Sequence, residues 1–470
     1  MKENKAAASK KSVTRRRTRR KRASPAPSET TSQLNDAADT SVAAANSFLS
    51  PSGLDWSPPF IPGVTDGQSA PSLSFDLGYE MNTTSPVTTG LRSLPSELLS
   101  PSESLWLSTI YHMGFSTVFS SWMGRYGNPF VNENPLAERY VNVVELCGKL
   151  DRWMADETSH DQADGTTTHE EAEMDRRIDQ SLHTTIAAYS ARWLPLVSKE
   201  AQQDPTESKS IQNLWRYARR DMLRVMNRPC YRSMLSLFLF ALTPIPAGVS
   251  DQEEVDGITG QACVHAALQL IQVLRARQRN LQFSGSKVSP YLKKQAIPTS
   301  PESVSTSDFI IAENTAYWAA LTFDTSASLT LNCRSLLSSG LFGHDEELSW
   351  RLVRTCAKIF DDTAQRWQPG SLDITDERAN QIVAAGAQWK LLGWKLTAIF
   401  KEALRDGHED SKVMKAYTAV VESIKQFNTI FRPRLEACQR RMHFLGQSTK
   451  LRWCKLPFQY SGNCPSIPTC

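Results

Sequence analysis

Apolar residues return at three- and four-residue steps along most of the chain from residue 100 onward, the spacing that lines one face of an α-helix. The clearest start is Ser100-Pro101-Ser102-Glu103, where Ser can cap, Pro fits the first helical position and Glu stands where a capping box needs it. A helix through Trp106, Ile110, Met113, Phe115, Val118 and Trp122 is expected to follow and to stop near Gly124 and Gly127. Tyr140, Val144, Cys147, Leu150 and Met154 mark another, as do Ile178, Leu182, Ile186, Tyr189 and Trp193, and then Trp215, Ala218, Met222 and Val225. Further helices are expected over 258–280, 308–335, 346–367, 376–405 and 411–442. No long alternating pattern separates these segments, so the fold class is all-α: one large multi-helix domain over 100–445. Trp318 and Phe323, with Tyr317, Ala320, Leu321 and Leu329 around them, are expected in its core. Two loops interrupt it, an acidic and Thr-rich one over 156–168 and a Ser/Pro-rich one over 284–307, and no repeat at a solenoid period is present.

The pattern is missing at both ends. Residues 23–99 are Ser, Thr and Pro with few apolar runs, a composition expected to stay disordered because it buries too little surface to offset chain entropy. Residues 446–470, with three Cys and three Pro, are expected to form an irregular tail. The formal charge of +4 conceals an asymmetry: residues 1–22 carry 11 Lys or Arg against the single acid Glu3, while the remainder holds 42 basic and 48 acidic groups. Such a basic arm repels itself, stays solvated and suits a polyanion or an import receptor. No apolar stretch of signal-peptide kind follows it, and the greasiest run, Met234 to Leu242, is too short to span a bilayer, so an intracellular chain with no membrane partner is expected. All nine cysteines lie from Cys147 onward, widely scattered, and read as reduced thiols.

Catalytic patterns fall short. Asp361-Asp362 on a predicted helix lacks the further acid and the second motif that magnesium-diphosphate chemistry needs, which leaves a solvated helix face. His169-Glu170-Glu171 begins like a zinc-protease helix, but Glu173 and Met174 stand where the second ligand belongs, so it reads as an acidic helix N-terminus. No P-loop, dinucleotide fingerprint or nucleophile elbow occurs, and no enzyme or cofactor is expected.

The sharpest local signal is the basic run Lys10, Lys11, Arg15, Arg16, Arg17, Arg19, Arg20, Lys21 and Arg22, which matches an import-receptor groove or a phosphate backbone, with a merely solubilising tail as the alternative. Arg216, Arg220 and Arg224 form a basic stripe on a predicted helix, and Arg275, Arg277 and Arg279 a second set; a DNA-facing helix is conceivable, but a solvated face with buried stems is the commoner explanation. In the linker, Leu54-Asp55-Trp56 with Phe60, and Phe75-Asp76-Leu77 with Tyr79-Glu80-Met81, set bulky apolar groups beside acids. That mixture suits activation segments that a coactivator groove takes up, with Trp56, Phe60, Phe75 and Leu77 as the contacts, and chance in a long linker is the alternative.

Four blocks in the helical part carry a resemblance: Leu150-Asp151-Arg152-Trp153, Ala188-Tyr189-Ser190-Ala191-Arg192-Trp193, Arg228-Pro229-Cys230-Tyr231-Arg232-Ser233 with the apolar helix to Thr243, and Tyr317 to Ser328 with its Trp318, Phe323 and Asp324. Their residues and order resemble the regulatory domain of fungal zinc-cluster transcription factors, in particular the ethanol-utilisation activators of filamentous fungi. The resemblance covers about Ser100 to His443 and implies that Arg228, Pro229, Trp318, Phe323 and Asp324 belong to the domain core, and that the domain binds a small-molecule inducer or masks the activation segments. Members of that family begin with a zinc-binding cluster of six cysteines, then a basic linker. Here the order begins at the linker with no Cys before Cys147, so no zinc cofactor and only weak, non-specific DNA binding are expected. Two explanations stay open, a regulator without a cluster or a gene whose first coding exon lies upstream, and the C-terminus has the parallel alternatives of a genuine tail or a read-through intron.

The leading expectation is a nuclear, non-catalytic transcriptional regulator of RNA polymerase II genes, with an import receptor and a coactivator or another transcription factor as partners. A helical scaffold or decoy partner of a complete zinc-cluster factor is the alternative, and an all-α enzyme such as a terpene cyclase comes third.

Overall fold

The structure is a computed structural model that describes residues 85–131, 141–155, 169–194, 205–250, 253, 260–284, 306–367 and 374–454. The described residues are mostly helical and contain no strand.

The centre is a helix that is apolar all round. Ten of the eleven residues of Tyr231–Ala241 are buried, Arg232 being the exception. A helix without a polar face must be covered on every side, and its cover comes from Val143–Ala155, His169–Ala191, Pro205–Val225 and Gly260–Ser284. In chain order the helices are α1 Pro86–Arg92, α2 Pro101–Tyr111, α3 Thr117–Met123, α4 Val143–Ala155, α5 His169–Ala191, α6 Pro205–Val225, α7 Tyr231–Ala241, α8 Gly260–Ser284, α9 Ser307–Thr330, α10 Leu348–Ala364, α11 Asp376–Arg405, α12 Asp410–Gln426, α13 Arg432–Arg441 and α14 Gln447–Cys454. Around the 30-residue α11 a second group gathers, with α9, α10, α12, α13 and α14 against it. Helix α9 also packs on α4 and α8, so it joins the α7 group to the α11 group. One continuous core cluster runs from Val87 to Leu445.

Local chemistry explains several helix starts. Ser100 accepts the Glu103 N–H at 3.3 Å while Glu103 accepts the Ser100 N–H at 2.7 Å, the reciprocal capping box expected there. Thr306 and Thr375 cap α9 and α11 one way only, accepting the Phe309 and Arg378 N–H.

Three boundaries differ from expectation. The described helical part begins before Ser100: α1 has Pro86 in its first turn and buries Val87 and Leu91, an i, i+4 pair too short to stand out in a Ser/Thr-rich context. The supposed irregular tail holds α14, whose start is capped from afar: Asp376 accepts Gly446 N–H at 2.8 Å and the Thr449 hydroxyl at 2.6 Å. The stretch 411–442 is not one helix, because a π-helical turn at Phe427–Phe431 precedes Pro433, which has no N–H to continue the ladder. Another π turn, His112–Ser116, follows α2, where the buried face runs through Leu107, Tyr111 and Phe115 while Trp106, Met113 and Trp122 are exposed.

Trp318 sits in the middle of α9 as expected, 3% exposed. Its indole N–H donates to the Gly127 carbonyl at 3.1 Å and its ring meets Trp350 edge-on, with centroids 5.9 Å apart. Replacing Trp318 with Ala removes this packing and is expected to cost about 3–5 kcal/mol in chemical denaturation. A variant with the parent's midpoint would mean that α9 is not central.

Candidate functional site

Helix α7 is held by charge at both ends. Its first N–H groups, from Tyr231 and Arg232, donate to the Asp151 carboxylate of α4 at 2.6 and 3.2 Å. Arg232 returns from α7 to Asp151 at 2.8 Å and to Asp179 at 2.7 Å, and it also pairs with Asp175, both on α5. At the other end Arg192 donates to the Leu242 carbonyl at 2.7 Å, with its guanidinium 4.1 Å over the Tyr189 ring. An anion at the N-terminus and a cation at the C-terminus match the helix dipole. Burial pushes the Asp151 carboxyl up, and the Arg232 bonds and two backbone N–H groups oppose that shift.

A second polar cluster lies on one side of α9, where Glu313, Tyr317 and Asp324 share a face at i, i+4 and i+11. Arg275 of α8 stands 3.2 Å from Glu313 and stacks its guanidinium 3.5 Å from the centre of the Tyr317 ring. The Tyr317 hydroxyl donates to Glu347 at 2.5 Å. Asp324 accepts the N–H of Leu336 at 2.8 Å and of Leu337 at 3.4 Å, and the Ser335 hydroxyl as well. Beside it Lys395 of α11, 0% exposed, donates to Ser335 at 2.6 Å and to Ser338, with 3.8 Å between its ammonium and Asp324. Burial lowers the Lys395 pKa, and Asp324 counters it. Asp324, Lys395 and the Tyr317 hydroxyl all bond to the connection 331–347 and fasten it to α9 and α11, while Arg275 with Glu313 ties α8 to α9.

The open feature is a polar cleft of about 410 Å³ between the segment after α1 and helix α5, lined by Ser93, Pro95, Arg176, Asp179, Gln180 and His183. Helix α1 reaches His183 only because residue 90 is Gly: a Cβ there would lie 1.9 Å from the imidazole Nε2. Burial lowers the His183 pKa, so at neutral pH the cleft presents a neutral imidazole, an amide, the Arg176 guanidinium and the Asp179 carboxylate that Arg232 pairs, a set suited to a small polar ligand. A smaller, mostly apolar cavity of about 20 Å³ lies between Phe115, Phe119, Phe238, Phe323 and Cys147, with room for little more than one water molecule.

The residues singled out by sequence are scattered. Asp324 (1% exposed) and Trp318 are in the core, while Phe323 is half-buried and stacks on Phe238 with centroids 4.1 Å apart. Arg228 and Pro229 are not core residues. They are exposed in the short turn between α6 and α7, where Pro229 cannot extend a helix. In the basic stripe, Arg216 makes two bonds of 2.9 Å to Glu253, and Arg220 and Arg224 lie 3.2 and 3.6 Å from Asp221. Asp361 pairs with Arg434 at 3.2 Å, and His169, Glu170 and Glu171 are the exposed first turn of α5. Lys10, Lys11, Arg15, Arg16, Arg17, Arg19, Arg20, Lys21 and Arg22, with Trp56, Phe60, Phe75 and Leu77, lie outside the described residues. Sequence reasoning missed Lys395, although it stands at a core phase between Leu391, Leu392, Leu396 and Ile399. It also missed His183, Arg232 as an ion-pair centre and Arg192 as a cap.

No family of known proteins, no curated protein and no solved structure matches this chain.

Two outcomes are expected. Lys395→Met should cost about 3–5 kcal/mol by leaving Asp324 without its cation, and adding Asp324→Asn should cost clearly less than the sum of the single changes. Strict additivity in urea titrations would show that the two groups do not interact. For His183, the folded pKa lies below the unfolded value of 6.5, so its contribution is whole above that pH and is lost as pH falls through the folded value. His183→Gln should therefore flatten the fall in melting temperature between about pH 7 and 5. Asp151 and Glu347, with carboxyls raised by burial, act in the opposite sense in both proteins, so the difference between the two slopes isolates His183.

Proposed function

We propose that the chain is a nuclear, non-catalytic transcriptional regulator of RNA polymerase II genes, related to the fungal zinc-cluster factors. The observation that carries this reading is the meeting of the four family-like blocks at one helix. The block 150–153 supplies the Asp151 cap of α7, the block 228–243 is α7 and its entry, the block 188–193 supplies the Arg192 cap, and the block 317–328 lays Phe323 on Phe238. Segments far apart in sequence thus belong to one packing unit, as blocks of a single domain should.

In this reading the basic arm engages an import receptor and touches DNA phosphates without reading bases, because phosphate contacts carry no sequence information. The acid-aromatic segments recruit a coactivator or another transcription factor. The cleft at Arg176, Gln180 and His183 is the place for a small polar inducer. The basic stripe is a poor candidate for base reading, since Arg216 is committed to Glu253 and Arg220 and Arg224 to Asp221.

A fluorescent fusion of the full chain should accumulate in nuclei and move to the cytoplasm when Arg15, Arg16, Arg17, Arg19, Arg20, Lys21 and Arg22 become Ala. Joined to an unrelated DNA-binding domain, the chain should activate a reporter, and Ala at Trp56, Phe60, Phe75 and Leu77 should reduce that activation severalfold. A nuclear chain that leaves the reporter silent would favour the scaffold or decoy reading. Unchanged nuclear signal in the arm variant would remove the import role.

A further inference from the structure

Helix α12 (Asp410–Gln426) uses little of its surface for the core: among its residues only Ala416 and Ser423 are buried. Its apolar residues nevertheless continue past that contact as a stripe of Met414, Tyr417, Val421 and Ile424. Met414 is 57%, Tyr417 47% and Ile424 54% exposed, and Val421 is half-buried. Single exposed apolar residues are ordinary, but four at steps of three, four and three residues on one face form a coiled-coil seam. We propose that this seam is an interface at which two copies of the chain pair antiparallel through α12.

Spacing and charge both point to a second copy. The steps three, four, three read the same in either direction, so a two-fold axis near residue 419 sets Met414 against Ile424 of the other copy and Tyr417 against Val421. A self-complementary patch of this kind is what an isologous dimer requires. The seam is also charged with opposite sign at its two ends. Exposed Asp410 lies in its line at the N-terminal end and exposed Lys425 beside it at the C-terminal end. Antiparallel pairing brings Asp410 of each copy within one helical turn of Lys425 of the other, whereas parallel pairing would place like charges together. Antiparallel helices also oppose their dipoles favourably. Phe400 of α11, with its ring 5.7 Å from Tyr417, supports the seam from behind. From Met414 to Ile424 the contact is only about 15 Å long. It falls short of the roughly 800 Å² per partner of stable complexes, so the dimer is reversible, with a dissociation constant of about micromolar or weaker.

The test is sedimentation of the purified full chain over a wide range of concentration, with melting curves to confirm folding. The parent should pass reversibly from monomer to dimer, and Tyr417→Glu should weaken association at least tenfold. Asp410→Lys and Lys425→Asp should each weaken it, and the double swap should restore it to within a few fold of the parent. Both single changes also oppose the dipole of their own helix, an effect that accumulates in the double variant. Recovery can therefore come only from the contact between copies. A parent that stays monomeric throughout would overturn the proposal and assign the seam to a different partner. A dimer indifferent to Tyr417→Glu would overturn it by placing the contact elsewhere, and a double swap no better than the singles would overturn the antiparallel register.

Discussion

A helix with no polar face cannot be left against water on any side, and the rest of the α7 group follows from that constraint. The ten buried residues of α7 need helices around the full circumference, and α4, α5, α6 and α8 supply them. Such enclosure also removes water from the helix ends, so their free N–H and C=O groups must find partners inside the protein. Asp151 and Arg192 are those partners, and each lies on a covering helix or at its end. The apolar requirement and the polar one are met by the same elements. Arg232, the one residue of α7 that is not buried, then ties α4 and α5 together through Asp151, Asp175 and Asp179.

The α11 group solves a different problem. Its polar residues are inside because a long connection, 331–347, runs over the junction of α9 and α11 and has few ladder bonds of its own. Asp324 and Lys395 supply what a helix or sheet would otherwise provide, with acceptors for Leu336 and Leu337 and donors for Ser335 and Ser338. Burying two charges is expensive, and an apolar pair could be as stable. An apolar pair could not satisfy those backbone and hydroxyl groups. The ionic pair therefore fixes one path for the connection, which is conformational specificity more than added stability.

Most helices were legible in the sequence because amphipathic spacing and local caps are encoded within a few residues, as at Ser100 and Glu103. Periodicity also placed Trp318 inside. It failed where a distant residue decides the outcome. Helix α14 depends on Asp376, and α1 depends on the fit of Gly90 against His183. On α2 the periodicity admitted two apolar faces one residue apart, and the buried one runs through Leu107, Tyr111 and Phe115 rather than Trp106 and Ile110. Of the candidate site, Asp324 was visible within a block that looked familiar, but its partner Lys395 looked like an interruption of an apolar run. Composition separates an ordinary surface lysine from a buried one poorly, because the difference lies in what the fold brings to face it.

The remote cap of α14 has a further consequence for how the chain is made. Asp376 leaves the ribosome some seventy residues before the Gly446 and Thr449 groups it will hold. Asn380, buried one turn further on, likewise waits for the Thr449 hydroxyl. During vectorial synthesis α11 can therefore form and pack on α9 while its first turn still lacks its last contacts. Helix α14 acts as a latch that closes only after residues 446–454 have been made. A nascent chain stalled before residue 446 would carry an open end on α11, and that open end is what a folding-surveillance system could recognise.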